Sequence, residues 1–300
     1  MFLVLSSYWL IPRIINTQPF ENSFDITHWQ AFAASGYKGI GTTINVLSLN
    51  GFWGESQPWS KQFAWPQDNA VFWIATGLIW LFVSIGIISG FRSKKIRPVG
   101  IFFLLLGLTS FIFATGAGET IFRNFNIWMY EHISFWRGFR DSQKFSGLLA
   151  LSYAVLSGYG VNAVRSNRFR VLIFLIPILL GFLMWGGFKK QIRSVWYPEV
   201  WDKAKDVILA DSSDYKVLFL PWHGYLSFNF NNNLLRGNPA KGFFGEKAIV
   251  SRSVEIKELY DQEIDPEYKN LDKAVRDNAS LSQDQSIDFF ISQNIKYIVF

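Results

Sequence analysis

The chain has 300 residues, of which 50% are hydrophobic and 18% aromatic, with a mean hydropathy of +0.15. That is too apolar for an ordinary soluble domain and implies a membrane protein at least in part. The formal charge of +6 does not imply nucleic acid, because the basic residues sit beside apolar runs, where positive flanks of membrane spans account for them. The absence of cysteine excludes disulfides, thiolate metal sites and thiol nucleophiles. His28, His132 and His223 lack ligand spacing, so no metal site is expected.

Met1–Pro12 is apolar but shorter than the roughly 20 residues a spanning helix requires, and it lacks the basic start and small-residue cleavage site of a signal peptide. It reads as the outer half of a helix whose beginning lies upstream. Residues 13–69 are mixed, with glycines at 36, 39, 41, 51 and 54 and tryptophans at 29, 53, 59 and 65. The segment is expected to hold short surface helices. The three clustered glycines are no phosphate loop, because no strand precedes them and no GKS or GKT follows.

Ala70–Phe91 and Val99–Thr115 are predicted spans on either side of the basic turn Arg92–Arg97, and Phe145–Val164 and Val171–Phe188 are predicted to flank a second turn containing Arg165, Arg168 and Arg170. Both turns lack acidic residues, so the positive-inside rule predicts that they are cytoplasmic. Parity then puts residues 13–69, 116–145 and everything after Phe188 outside the cell.

Residues 116–145, GAGETIFRNFNIWMYEHISFWRGFRDSQKF, mix Glu119, Arg123, Glu131, His132, Arg137, Arg140, Asp141 and Lys144 with Phe, Trp and Tyr. Aromatic rings with a polar tip favour the membrane boundary, and a short amphipathic segment lies in that plane. Arg137, Arg140 and Lys144 are candidates to hold the phosphate of a lipid-linked sugar, with Asp141 orienting Arg140. The plain alternative is that they anchor the span to lipid headgroups. Glu119, Glu131 and His132 are either acid-base groups or solvated residues of an interfacial helix.

After Lys189 the pattern becomes that of a water-exposed domain. Glu199–Leu209 and Gln285–Gln293 have helical periodicity, and Lys216–Leu220 and Lys296–Phe300 read as buried strands. This order predicts a small α/β layer in which the two strands are parallel neighbours. Phe300 lies inside its strand, so the chain is expected to be a piece of a longer protein at both ends. Trp222, His223 and Tyr225 follow the first strand, where α/β sheets often place ligands. With Asn232 and the neighbouring asparagines they are candidate sugar contacts, although asparagine is also a common turn former.

The fold class expected is therefore a membrane all-α domain of about five spans, the first incomplete, over residues 1–188, followed by a small α/β extracytoplasmic domain over 189–300. SSYWLIP, NVLSLNGFWG, FWRGFRDSQKF running into a span, and KVLFLPWHGYLSF together resemble multi-pass GT-C-type glycosyltransferases and their uncharacterised relatives. The resemblance implies an integral membrane enzyme that transfers sugar from a polyprenyl-phosphate donor to a cell-envelope glycan, with the lipid bilayer and a lipid-linked sugar as partners. In that family the catalytic acid usually lies in the first outer loop, and no residue here matches it, so no catalytic residue is carried over. A scaffold or flippase-like partner of envelope assembly is the alternative.

Overall fold

The computed structural model describes residues 25–139, 141–164, 166, 170, 176, 194–253, 255–256, 265, 268–276 and 283–300, with backbone only at 62, 134, 135 and 283–286. The chain divides into two compact units, Met1–Gln191 and Ile192–Phe300.

In the first unit, α1 (Ile26–Ala31) and α2 (Thr42–Leu47) precede three short 3-10 turns, Trp53–Ser56, Pro58–Gln62 and Pro66–Asp68. Asp25 caps α1 by accepting from the His28 N–H at 2.9 Å. Asn69 caps α3 (Ala70–Arg92) through the Val71 N–H at 2.9 Å. A basic turn leads into α4 (Arg97–Thr115), and then come α5 (Arg123–His132) and α6 (Ser146–Ala163).

The expectation of about five spans is corrected here. Among the described residues only α3 and α4 are long and apolar enough to cross a membrane. The predicted span Phe145–Val164 folds as α6, 18 residues long, but Ser152, Tyr153, Ser157, Tyr159 and Asn162 dilute its apolar character below what a span needs. Met1–Pro12 and, apart from Ile176, Val171–Phe188 lie outside the described residues.

The three long helices pack through small residues. A Cβ at Gly86 of α3 would lie 1.8 Å from the Leu156 carbonyl oxygen of α6, and one at Gly160 of α6 would lie 2.0 Å from that of Phe82. The Ser152 hydroxyl donates to the Phe103 carbonyl of α4 at 2.6 Å. Meanwhile Ile74, Leu81, Ile88, Phe102, Leu105 and Leu108 point outward, between 50% and 65% exposed. Phe72, Phe82 and Val83 of α3 and Leu149 and Leu156 of α6 are buried beside these small residues, while the outward apolar face is costly in water and not in lipid.

At one end of this bundle sits a folded platform built from residues 25–69 and 116–145. Its core stacks Trp29 on Tyr130, with Trp136 against Phe113 and Phe145. The Trp29 indole donates to the Phe139 carbonyl and the Gln143 amide to that of Phe32, tying the two segments together. Trp80 of α3 and Tyr153 of α6 both donate to the Leu47 carbonyl, and Asn126 of α5 donates to that of Ile112 in α4. Gly116 bends the chain from α4 into the platform at φ +51, where a Cβ would lie 2.5 Å from the Ser142 hydroxyl.

The second unit is α7 (Glu199–Ala210), β1 (Lys216–Phe219), the hairpin strands β2 (Tyr225–Leu226) and β3 (Arg236–Gly237), α8 (Ala240–Phe244), β4 (Ala248–Ile249), α9 (Lys269–Arg276), α10 (Gln283–Ser292) and β5 (Ile295–Val299). The order β4-β1-β5 forms a parallel sheet with Val217 opposite both Ala248 and Tyr297. The strands in Lys216–Leu220 and Lys296–Phe300 are thus parallel neighbours. Val217 and Phe219 face Ile208 of α7 and Phe244 of α8, while Leu218 faces Leu271 of α9 and the α10 side. The last strand differs from expectation: it is an edge rather than buried, with Lys296 and Ile298 open on one face.

Candidate functional site

On the platform, the turn at residues 37–40 is closed by the reciprocal bonds between Tyr37 and Ile40, with Gly39 at φ +85. Beside it lies a cavity of about 450 Å³ lined by Tyr37, Lys38, Lys61, Phe63, Trp65 and Asp68, with Glu55, Gln57 and Ser60 in its wall. Asp68 accepts from the Lys38 ammonium at 2.8 Å and from the Tyr37 hydroxyl at 2.9 Å. The Lys38 contact holds the Asp68 carboxyl below its usual range. Burial pushes the Tyr37 phenol up.

Glu55 is 4% exposed. Its carboxylate accepts from four donors: the Asn45 amide at 2.6 Å, the Gln67 amide at 3.0 Å, and the backbone N–H groups of Gly51 at 3.1 Å and Phe52 at 3.0 Å. Burial pushes this carboxyl above its ordinary value against the pull of those donors. The network pins the loop that forms one wall of the cavity.

In residues 116–145, the expected interfacial helix is α5, which buries Asn126 and Tyr130 and exposes Phe125 and Trp128. Arg137 donates to the Tyr130 and Glu131 carbonyls at 3.3 Å each and stacks on the Tyr130 ring, capping the end of α5. Arg123 donates to the Ala117 carbonyl. Lys144 is 3.4 Å from the Asp141 carboxylate and largely exposed. Arg140 lies outside the described residues. Glu119, Glu131 and His132 are all exposed, and His132 stacks on Trp128.

In the second unit, Trp222 is buried and its indole donates to Asp272 at 2.9 Å, so its ring belongs to the core. Tyr225 is 47% exposed on β2. Asn232 takes the left-handed conformation, φ 61, ending the turn Asn229–Asn231, and the buried Asn231 accepts from the Phe228 and Leu234 N–H groups. These asparagines therefore act as turn formers. His223 stands apart: its Nδ1 is 3.3 Å from the Glu255 carboxylate, which also accepts from the Gly224 N–H. Both lie on loops leaving the carboxyl ends of β1 and β4, where the connection reverses direction across the sheet. A separate apolar cavity of about 340 Å³, lined by Trp201, Phe219, Pro221 and Phe228, includes none of Trp222, His223, Tyr225 or Asn232.

No family model, curated protein or solved structure matches the chain. Sequence reasoning missed Tyr37, Lys38, Lys61 and Asp68, which come together only through the fold. It also missed Glu255, whose left-handed φ of 51 has no sequence signal. No group of three His, Cys, Asp or Glu residues suited to a metal occurs among the described residues.

Proposed function

We propose that the chain is the membrane-embedded part of a glycosyltransferase that handles a lipid-phosphate-linked sugar at the bilayer surface. The observation that carries this reading is the packing of the long helices, in which Gly86 and Gly160 let backbones touch while Ile74, Leu81, Ile88, Phe102, Leu105 and Leu108 face outward, with a polar and aromatic platform on one end. Lipid favours that packing, and if α3 and α4 cross the bilayer, a polar site at the end of the bundle would lie near headgroup depth, where the phosphate of a polyprenyl carrier sits. Lys144, one turn before α6 and braced by Asp141, is the phosphate contact supported by geometry. Arg140, four residues earlier in the sequence, is the second proposed contact, chosen because a guanidinium fork matches a phosphate, and Arg137, engaged with the α5 carbonyls, is a secondary contact.

The test is binding of a polyprenyl-phosphate sugar to this chain in lipid nanodiscs. Removing one charge-assisted contact costs about 1.5 to 3 kcal/mol, so Lys144→Ala and Arg140→Ala should each weaken binding roughly 10-fold or more. Arg140→Lys should weaken it despite the retained charge, because the fork is lost. Wild-type affinity in folded Lys144→Ala and Arg140→Ala variants would remove the phosphate role and leave only headgroup anchoring.

A further inference from the structure

Lys144 is not among the residues that line the platform cavity, and the walls of that cavity have a definite chemistry. Glu55 is fully engaged by its four donors and only positions the wall. Asp68 has two donors, Lys38 and Tyr37, and an ionised carboxylate has about four acceptor sites. Capacity for ligand hydroxyls remains. The Trp65 ring is fixed by its indole bond to the Ser60 carbonyl at 3.1 Å, and Ser60 itself donates to the Glu55 carbonyl at 2.8 Å. Phe63 stands edge-on to Trp65 and Tyr37 tilts against it, so the aromatic surface is set before any ligand arrives.

Charge narrows the ligand further. Lys38 is paired with Asp68 at 2.8 Å, whereas Lys61 is exposed on the cavity wall and has no carboxylate partner among the described residues. One uncompensated cation suits one anionic group and falls short of a diphosphate.

We propose that this cavity is a binding subsite for a pyranose bearing a single anionic substituent, its ring against Trp65 and Phe63, its hydroxyls on Asp68 and Gln57, and its anion on Lys61. Choosing a sugar among polar ring compounds rests on the function proposed above. An aromatic face beside acceptors and amides matches a ring with apolar faces and a polar rim. The anion is a carboxylate or a phosphate, since either is met by one ammonium.

The experiment titrates the chain in nanodiscs with glucose, glucuronic acid, glucose 6-phosphate and inorganic phosphate, following tryptophan fluorescence and calorimetric heat, and measures polyprenyl-phosphate sugar binding in parallel. At least one anionic sugar should bind about 10-fold tighter than glucose, the preference gained from one charge-assisted contact, and which one binds tells carboxylate from phosphate. Lys61→Ala should abolish the preference, Lys61→Arg should keep it, and Lys144→Ala should not change it. The subsite is overturned if a folded Lys61→Ala variant keeps the preference, if neither anionic sugar outbinds glucose, or if inorganic phosphate matches the sugar phosphate. Failure of the lipid-linked donor to bind, with the Lys61 dependence intact, would instead sink the donor reading and leave the subsite standing.

Discussion

Glu55→Ala is the substitution whose effect the structure defines most completely. It strands the backbone N–H groups of Gly51 and Phe52, which bond to the carboxylate in a site that is 4% exposed. The Asn45 amide keeps the Ser35 carbonyl and the Gln67 amide keeps Asn45 Oδ1, so those two lose only part of their bonding. A stranded buried donor costs about 1 to 3 kcal/mol; two of them cost ~4 kcal/mol. The relief of no longer burying a charge offsets part of this, leaving roughly 3 kcal/mol. For a unit of this size that lowers Tm by about 6 to 12 °C. Glu55→Gln is milder, because its carbonyl still accepts while its new NH2 faces Asn45 and Gln67. A flip of Gln67 could turn its buried, unpartnered Oε1 toward that NH2, at the cost of its bond to Asn45, for a net loss of about 1 to 2 kcal/mol. Thermal unfolding in detergent, read from the tryptophans at 53, 59 and 65, should rank wild type above Glu55→Gln and Glu55→Gln above Glu55→Ala. A Glu55→Ala variant that unfolds within about 2 °C of wild type would refute the claim that this carboxylate holds the loop.

Gly86→Ala and Gly160→Ala should each destabilise the first unit by about 1 to 3 kcal/mol, because the new methyl meets backbone oxygens of the partner helix. Gly77→Ala, with nothing within 4 Å of its added Cβ, should be neutral or stabilise by up to about 1 kcal/mol; melting curves of all three would check the contrast. In the second unit Asp211 accepts from Lys296, Ser213 and Tyr297, and the Lys296 contact holds its carboxyl well below 3.8. A depressed folded pKa gives stability that is present above pH 3.8 and lost as pH falls toward the lower folded value, so acid unfolding of wild type should show a loss in that window that Asp211→Asn lacks. Cysteines placed singly in this cysteine-free chain should be labelled by an impermeant reagent in intact cells at position 61 and shielded at position 94; labelling at 94 would reverse the orientation.

The sequence made some elements legible and hid others for physical reasons. α3 and α4 were readable because a continuous apolar run beside a basic turn carries its own signal. β1 and β5 were readable as short apolar runs beside amphipathic helices. β4 was not, since Ala248–Ile249 is too short for any periodicity. α6 was overread, because its mean apolarity hid the serines and tyrosines that it turns toward α4 and the platform: Ser152 bonds Phe103 and Tyr153 bonds Leu47. Within the site, a basic residue near a span boundary looks the same in sequence whether it faces a phosphate or caps a helix. The bonds of Arg137 to carbonyls six and seven residues earlier show that it caps a helix end, a role the sequence did not announce. Asp68 lies 31 and 30 residues from Tyr37 and Lys38, and no local pattern announces their meeting.

The disposition of cations on the platform separates structural charge from charge free to act. Arg123 and Arg137 spend guanidinium hydrogens on backbone carbonyls that would otherwise end a turn or helix unbonded. Replacing either exposes those carbonyls, so a functional defect there would be hard to tell from a folding defect. Lys38 is committed to Asp68 at 2.8 Å. Lys144 and Lys61 are different: the first has only a 3.4 Å contact with Asp141, and the second has no carboxylate partner among the described residues. Both can change partners without unravelling a helix end. Removing either therefore tests ligand binding with little effect on the fold, and the two sites respond to different ligands: a lipid-linked phosphate at Lys144 and a soluble anionic sugar at Lys61. If both substitutions failed in the same way, with each ligand equally weakened by each change, the two lysines would serve one continuous site rather than a phosphate site and a separate sugar subsite.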